Sequence, residues 1–312
     1  MDNIIEPIDL KLIQKELNLE RFVRETNNAN NEIYIVNHHN SPNTTKEIGR
    51  LREITFRAAG GGTGKSYDLD NFDTRPEAFY NQLIVWAPES KEIIGGYRFI
   101  KCNEALTSET YSNLATSNLF HFSDQFTQDY LPNTIELGRS FVQPHFQPSK
   151  GSRKGIFSLD NLWDGLGALV VDEPDIKYFF GKVTMYLDFD KMARDYILSF
   201  MNYFFPDKEE LLTTLNPLPY HHNTAEFINE ISGLNYREAY KVLQQKVRQL
   251  DENVPPLVGA YMSLSSTMKT FGTALNTNFG DVEETGILVT IDDIFEAKKE
   301  RHINTYIKKN SP

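Results

Sequence analysis

The chain has one cysteine, Cys102, in 312 residues. A structural disulfide within the chain is thereby excluded, and a reducing compartment fits. With no evident histidine partner, Cys102 reads as a small buried hydrophobe. No run of about 18 apolar residues occurs, so no membrane-spanning helix is expected. Basic residues are in deficit: 32 Lys and Arg stand against 43 Asp and Glu, a formal net charge of −11. Such a chain lacks the broad basic face that binds nucleic-acid phosphates or an anionic bilayer. The opening "MDNIIEPIDLKLIQKELNLE" lacks the basic-then-apolar order of a secretory signal. A cytoplasmic protein is expected, with peripheral contact at the inner face of a membrane left open. Internal repeats and low-complexity tracts are also missing. What is abundant is aromatic surface, with 21 Phe and 15 Tyr. These fill a core or line a tunnel for an apolar ligand.

Apolar spacing predicts an amphipathic helix over 8–23 and a second over 44–58, the latter started by a proline and a threonine cap. "EIYIVNH" (32–38) reads as a strand. Apolar runs over 79–87 and 92–101 flank the turn "PESK" and form the clearest hairpin. Strands are predicted over 133–144 and 177–187, and a helix over 156–171. Residues 189–205 and 235–251 read as helices, and "VPPLVGAYMSLSS" opens a short one. "KTFGTAL" and "TGILVTID" close the chain as strands. Alternating helices and strands with tight hairpins imply an α/β (α+β) mixed sheet in one domain over 1–312, with a helical insertion at about 189–253.

The segment "AGGGTGKS" (59–66) satisfies the loose form of a phosphate-binding loop. Its context is reversed. A helix precedes the glycines, and the acidic, proline-broken "YDLDNFDTRPEAF" follows where a helix would have to begin. The nucleotide reading is rejected. The EF-hand reading of "DLDNFD" fails as well, because its sixth and twelfth positions are Asp73 and Phe79 rather than Gly and Glu. This acidic turn is expected to be a solvated connection bonded to its own backbone.

Chemistry concentrates in "IELGRSFVQPHFQPSKGSRKGIFSLDNLW" (135–163). Glu136 and Arg139 lie in an otherwise apolar strand and point to opposite faces unless Gly138 makes a bulge. Lys150, Gly151, Ser152, Arg153, Lys154 and Gly155 form a basic glycine-rich loop between a strand and a helix, the arrangement that attracts phosphate. A solvated loop without a role is the plain alternative. His221, His222 and Glu226 lack a third spaced ligand, so no metal site is expected, and Asn223 or Thr224 is read as a helix cap. Ser140 lacks the elbow of a serine hydrolase. None of the seven histidines has the His-x₄-Asp spacing of glycerolipid acyltransferases.

The segment "ELGRSFVQP…LWDGL" resembles the signature E-L-G-R-S-x-V … L-W-x-G of the ornithine-lipid and glycine-lipid N-acyltransferases, hemolysin-like members of the GNAT superfamily. "DLDNFD" with "NQLIVW", "IIGGYRF" and "VPPLVGAYMSL…FG…NTNFG…ILVTIDDI" are similar to further family segments in the same order, over roughly 44–294. Acyl-homoserine-lactone synthases are more distant relatives. Departures are Gln82 for a family histidine, "RSFV" for the frequent "RSCV", and a blurred aspartate at "NTNFG". The resemblance implies a GNAT-like fold and transfer of a fatty, often 3-hydroxylated, acyl group from acyl carrier protein to an amino acid such as glycine or ornithine, in lipoamino-acid lipid synthesis. It implies Glu136 as base and Gly138 and Arg139 at the catalytic strand. Arg98, Ser140, Phe141, Trp163 and Phe179 would contact the substrates. The 150–155 loop would grip phosphopantetheine and the carrier. No tightly bound cofactor is implied, only acyl-ACP or acyl-CoA as co-substrate. The alternatives are a GNAT enzyme using acetyl- or acyl-CoA on a small amine, and a non-catalytic hemolysin-like lipid-binding protein.

Overall fold

Apolar residues run almost unbroken through "NQLIVWA", and Leu83, Ile84 and Val85 are all fully buried. A strand of this composition needs cover on both faces. The computed structural model, which describes residues 1–106, 111–147, 155 and 157–308, supplies that cover with helices. Its strands are β1 (Phe22–Glu25), β2 (Glu32–Val36), β3 (Asn81–Ala87), β4 (Glu92–Lys101), β5 (Phe120–Phe122), β6 (Thr134–Val142), β7 (Tyr178–Met185), β8 (Leu212–Thr214), β9 (Lys269–Asn276) and β10 (Val282–Thr290). Its helices are α1 (Leu10–Glu16), α2 (Pro42–Ala58), α3 (Asn71–Thr74), α4 (Ser158–Asp172), α5 (Lys191–Phe204), α6 (Ala225–Ile231), α7 (Tyr236–Arg248), α8 (Pro256–Met262) and α9 (Glu296–His302). The fold class is α/β, as the alternation predicts.

The chain forms two compact units: Met1–Ala115 with Leu131–Lys177 and Glu296–Pro312, and Thr116–Tyr130 with Tyr178–Phe295. In the first unit, β1, β2, β3, β4 and β6 neighbour one another in that order, every pair antiparallel. Gln82 and Leu83 are consecutive in β3 and so face opposite ways. Gln82 accepts a hydrogen bond from Arg52 of α2 at 3.3 Å. Leu83 lies under α4, where a Cβ built on Gly165 would sit 2.6 Å from its Cδ2. Helices α2 and α4 therefore cover opposite faces, and any side chain at the second crossing would have to displace Leu83.

In the second unit, β7, β10 and β9 pair antiparallel, and β5 pairs with β8. Phe126, Phe180 and Phe271 form an aromatic cluster there, with the Phe126 and Phe180 centroids 5.2 Å apart. The expected insertion at 189–253 contains α5, α6 and α7, but also strand β8.

The helix expected over 8–23 is cut short. Helix α1 stops at Glu16, whose carboxylate instead accepts the Asn43 and Thr44 amides at the start of α2, at 3.1 and 2.7 Å. The amides of Arg21 and Phe22 then bond to the Asn18 carbonyl, and the chain turns into β1. The local apolar period is overridden by a cap on another helix and a partner strand.

Candidate active site

Strand β6 is kinked at the glycine where sequence left a bulge open. Gly96 pairs with Phe141 and Arg98 with Gly138, so Arg139 and Ser140 together oppose Tyr97. This is a β-bulge immediately after Gly138. Arg139, not Gly138, takes the left-handed backbone, with φ +48°. That conformation costs a side-chain-bearing residue roughly 1–2 kcal/mol. Arg139 repays it through ion pairs, with Nε 2.9 Å from Asp68 Oδ2 and Nη2 3.8 Å from Asp70 Oδ2. Close approach of β4 to the kink requires Gly95, since a Cβ there would lie 2.3 Å from the Phe141 carbonyl oxygen.

The acidic turn supplies the partners, and here the solvated-turn expectation is corrected. Asp68 and Asp73 are completely buried. The turn does bond its own backbone: Asp70 Oδ1 accepts the Phe72 and Asp73 amides, and Asp73 Oδ2 accepts the Asp70 amide, a capping box that starts α3. The remaining carboxylate valence goes to three arginines from three elements. Arg52 of α2 donates to Asp68 at 3.0 Å and to Asp73 at 3.4 Å. Arg98 of β4 donates to both Asp70 oxygens, at 2.9 and 2.8 Å, and to Asp73 at 3.3 Å. Arg139 of β6 completes the set. Gln82, in the family's histidine position, does bridging work: its amide donates to Asp73 at 2.8 Å while its oxygen accepts from Arg52.

Three guanidinium groups against three carboxylates balance in charge, which is what allows burial. Burial pushes the Asp68 carboxyl up, but Arg139 and Arg52 outweigh it and hold it below the usual range. The Asp70 carboxyl is likewise lowered, Arg98 and Arg139 overcoming desolvation. Desolvation acts to lower the Arg98 value, yet Asp70 and Asp73 keep it well above an ordinary arginine. Asp70 is the most open of the three carboxylates, its side chain 28% exposed.

Glu136 lies on β6 two residues before Gly138 and is 1% exposed. Tyr80, itself fully buried, donates its hydroxyl to Glu136 Oε1 at 2.7 Å. The Arg98 guanidinium carbon sits 5.0 Å from the Tyr80 ring centroid, a cation–π contact. A continuous path of contacts thus runs from Glu136 through Tyr80, Arg98 and Asp70 to Arg139. The two charged residues that strict alternation would separate meet one polar cluster. Sequence reasoning missed Arg52, Tyr80 and the three aspartates as members. The one available signal was charge recurring inside apolar elements.

The other predicted residues distribute as follows. Phe141 and Trp163 are buried and Ser140 is half-buried, all in the first unit. Phe179 is buried in β7 of the second unit. Lys150, Gly151, Ser152, Arg153 and Lys154 lie outside the described residues. Gly155 is buried, in the turn that precedes α4. Cys102 is a buried free thiol, pushed well up by burial and then by Glu136. His222 Nδ1 lies 3.1 Å from Asp195. Asn223 Oδ1 accepts the Ala225 amide and caps α6.

The glycine-rich loop "GGGTGKS" does bind an anion, an internal one. The buried Glu53 carboxylate accepts the Thr63 amide at 3.0 Å, the Thr63 hydroxyl at 2.7 Å and the Gly64 amide at 2.8 Å. Arg57 donates to the same carboxylate at 2.7 Å. Asp2 and Ile5 donate their amides to the Gly64 and Ser66 carbonyls. The amides that a phosphate would need are thus occupied, which agrees with rejecting a nucleotide there.

Comparison with known proteins follows the same line. A family profile described as "Acetyltransferase (GNAT) domain" matches residues 51–154. A glycine N(alpha)-acyltransferase of Bacteroides thetaiotaomicron is 53% identical over 311 residues, covering 99% of this chain and 92% of that protein. A glycine N(alpha)-acyltransferase of Phocaeicola vulgatus is 50% identical over 311 residues, covering 99% of this chain and 95% of its own. Among solved structures, a CoA-dependent acyl-homoserine lactone synthase, BjaI, aligns with 88% of each chain at 14% identity and a TM-score of 0.40.

Proposed function

The chain belongs to the GNAT acyltransferases, in the family of these glycine N(alpha)-acyltransferases, and from that premise we propose that it moves a fatty acyl group from a carrier thioester to the amino group of glycine. The observation that most supports this reading is a buried carboxylate, Glu136, held beside a kinked strand by Tyr80.

In this reading Glu136 takes a proton from the glycine ammonium. The neutral amine then attacks the thioester carbonyl, the C–N bond forms, and an oxyanion develops. Backbone amides at the 138–140 bulge are assigned to that oxyanion. Collapse breaks the C–S bond. The thiol leaves as thiolate and is reprotonated, and the amide nitrogen loses its second proton. A free glutamate near pKa 4.3 is a weak base, so removal from water is part of its competence.

Two roles are open to Arg98 and Arg139: gripping the acceptor carboxylate or holding the strand. Their ion pairs with Asp68, Asp70 and Asp73 favour the second. Phe141 and Trp163 are candidate liners of the acyl groove, and each buried methylene contributes about 0.8 kcal/mol. We assign the donor to acyl carrier protein, with Lys150, Arg153 and Lys154 supplying positive charge to its phosphopantetheine. The expected product, an acylated glycine, is a lipid that leaves toward a membrane face.

The test is direct. Purified protein is supplied with glycine and either acyl-ACP or acyl-CoA, and the product is identified by mass spectrometry. N-acylglycine from acyl-ACP is expected. Product from acyl-CoA alone would move the donor to coenzyme A. Acylation of other amino acids with glycine untouched would overturn the acceptor.

A further inference from the structure

The carboxylate of Glu136 has in Tyr80 a neighbour whose hydrogen bonding is directional. Tyr80 is wedged in place: its ring meets Arg98 on one side and Phe72 edge-on at 5.7 Å, and its amide bonds to the Phe72 carbonyl at 2.8 Å. At its phenol oxygen two partners converge. The Ala115 backbone amide lies 2.9 Å away and Glu136 Oε1 lies 2.7 Å away. An amide N–H only donates, so the phenol oxygen accepts there, and the single hydroxyl hydrogen is left for Glu136. Oε1 must therefore accept. A hydrogen bond donated to a carboxylate favours its charged form. Burial first, and the Glu136 charge next, hold the Tyr80 phenol well above the usual tyrosine range, so the donor is retained as pH rises.

We propose that Tyr80 is a positioning residue for acyl transfer: its hydroxyl, oriented by the Ala115 amide, holds Glu136 ionised and aimed to receive the amine proton. This inference rests on the reading of Glu136 as base. In this proposal Tyr80 acts through Glu136, the group it bonds, and not on the acyl group or the amine.

The experiment is the pH dependence of kcat/KM for N-acylglycine formation by Tyr80→Phe. This variant keeps the ring and its Arg98 contact and removes only the donor. The acid limb should move up by about one pH unit, the scale of one hydrogen bond to a charged group. Meanwhile kcat should fall with little change in KM for glycine. Genetically incorporated 3-fluorotyrosine at position 80, a stronger donor, should move the limb the other way. An unmoved limb in both proteins overturns the proposal, as does a Tyr80→Phe effect confined to KM. Should Tyr80→Phe fail to fold, the fluorotyrosine protein decides alone. The two readings separate cleanly: a fully active Glu136→Gln sinks the base, whereas an inactive Glu136→Gln with an unmoved Tyr80→Phe limb sinks only the role of Tyr80.

Discussion

Each unit of the molecule buries an arginine–carboxylate cluster, and the two are built differently. In the second unit Arg194 is 1% exposed and pairs with Glu283 and Asp195, both at 2.6 Å. Asp195 is further satisfied by the His221 and His222 amides, each at 2.8 Å. The strand carrying Glu283 runs against β7 through eight successive pairs without a break, shifts register against β9 only between Thr285 and Ile287, and holds no residue in a left-handed backbone. In the first unit, by contrast, the cluster straddles a bulge and holds Arg139 in a left-handed conformation. It also leaves Asp70 part-open and adjoins a carboxylate, Glu136, whose bond to Tyr80 lies outside the arginine–aspartate pairs. Buried charge alone therefore does not mark a site. What distinguishes the candidate site is buried charge spent on deforming the backbone, a strain that persists only where its surroundings over-determine it.

The sharpest contrast between the clusters is catalytic. Glu136→Gln should lower turnover by about 10²- to 10⁴-fold while leaving the thermal midpoint close to the parent. Glu283→Gln should leave chemistry intact and lower stability. Equal turnover in the two variants would erase the distinction.

Next come the arginines. Arg194→Ala removes the arginine from two buried carboxylates, leaving Glu283 to Lys191 and Asp195 to the His221 and His222 amides, and should cost about 3 kcal/mol in denaturant unfolding, with turnover per folded molecule unchanged. Arg139→Ala should cost stability and also turnover, since the kink loses its restraint. Preserved turnover in Arg139→Ala would show that the kink holds itself.

A smaller effect concerns acid. Asp68, Asp70 and Asp195 all have folded values below the unfolded one. Such groups contribute stability that is complete above the ordinary aspartate range, near pH 4, and is lost as pH falls toward the depressed values. Urea midpoints should therefore hold from pH 7 to about 5 and drop below about 4. Asp70→Asn should flatten that drop. An unaltered slope in Asp70→Asn would assign the acid sensitivity to Asp68 or Asp195.

Smallest is the internal anion site. Thr63→Ala removes one hydroxyl donor to Glu53 and should cost about 1 kcal/mol without touching turnover. A larger loss would tie the glycine loop to the Asp68–Asp70 segment that follows it.

Much of this was legible beforehand. The β3–β4 hairpin, α2, α4, β6 and α7 follow from local apolar period and turn chemistry, and their ends fall within a few residues of expectation. A glycine between two charges in an apolar strand left the bulge open as one of two arrangements, and the structure takes it. The misread parts have one cause. Asp68 and Asp73 looked solvated because the basic residues that bury them are not their neighbours in sequence, Lys65 and Arg75. Their partners Arg52, Arg98 and Arg139 arrive from α2, β4 and β6. The end of α1 and the start of β1 were hidden in the same way, by Glu16 capping a helix that begins 26 residues later.

By itself the sequence determined which residues alternate, which run apolar on both sides, where turns are cheap, and that Glu136, Gly138 and Arg139 share one short strand. Only the tertiary structure decided which carboxylate meets which guanidinium, and that Tyr80 aims its hydrogen at Glu136. The physical reason is that backbone preference acts between near neighbours along the chain, whereas charge and hydrogen bonding in a dry interior act across ångströms of space, whatever the separation in sequence.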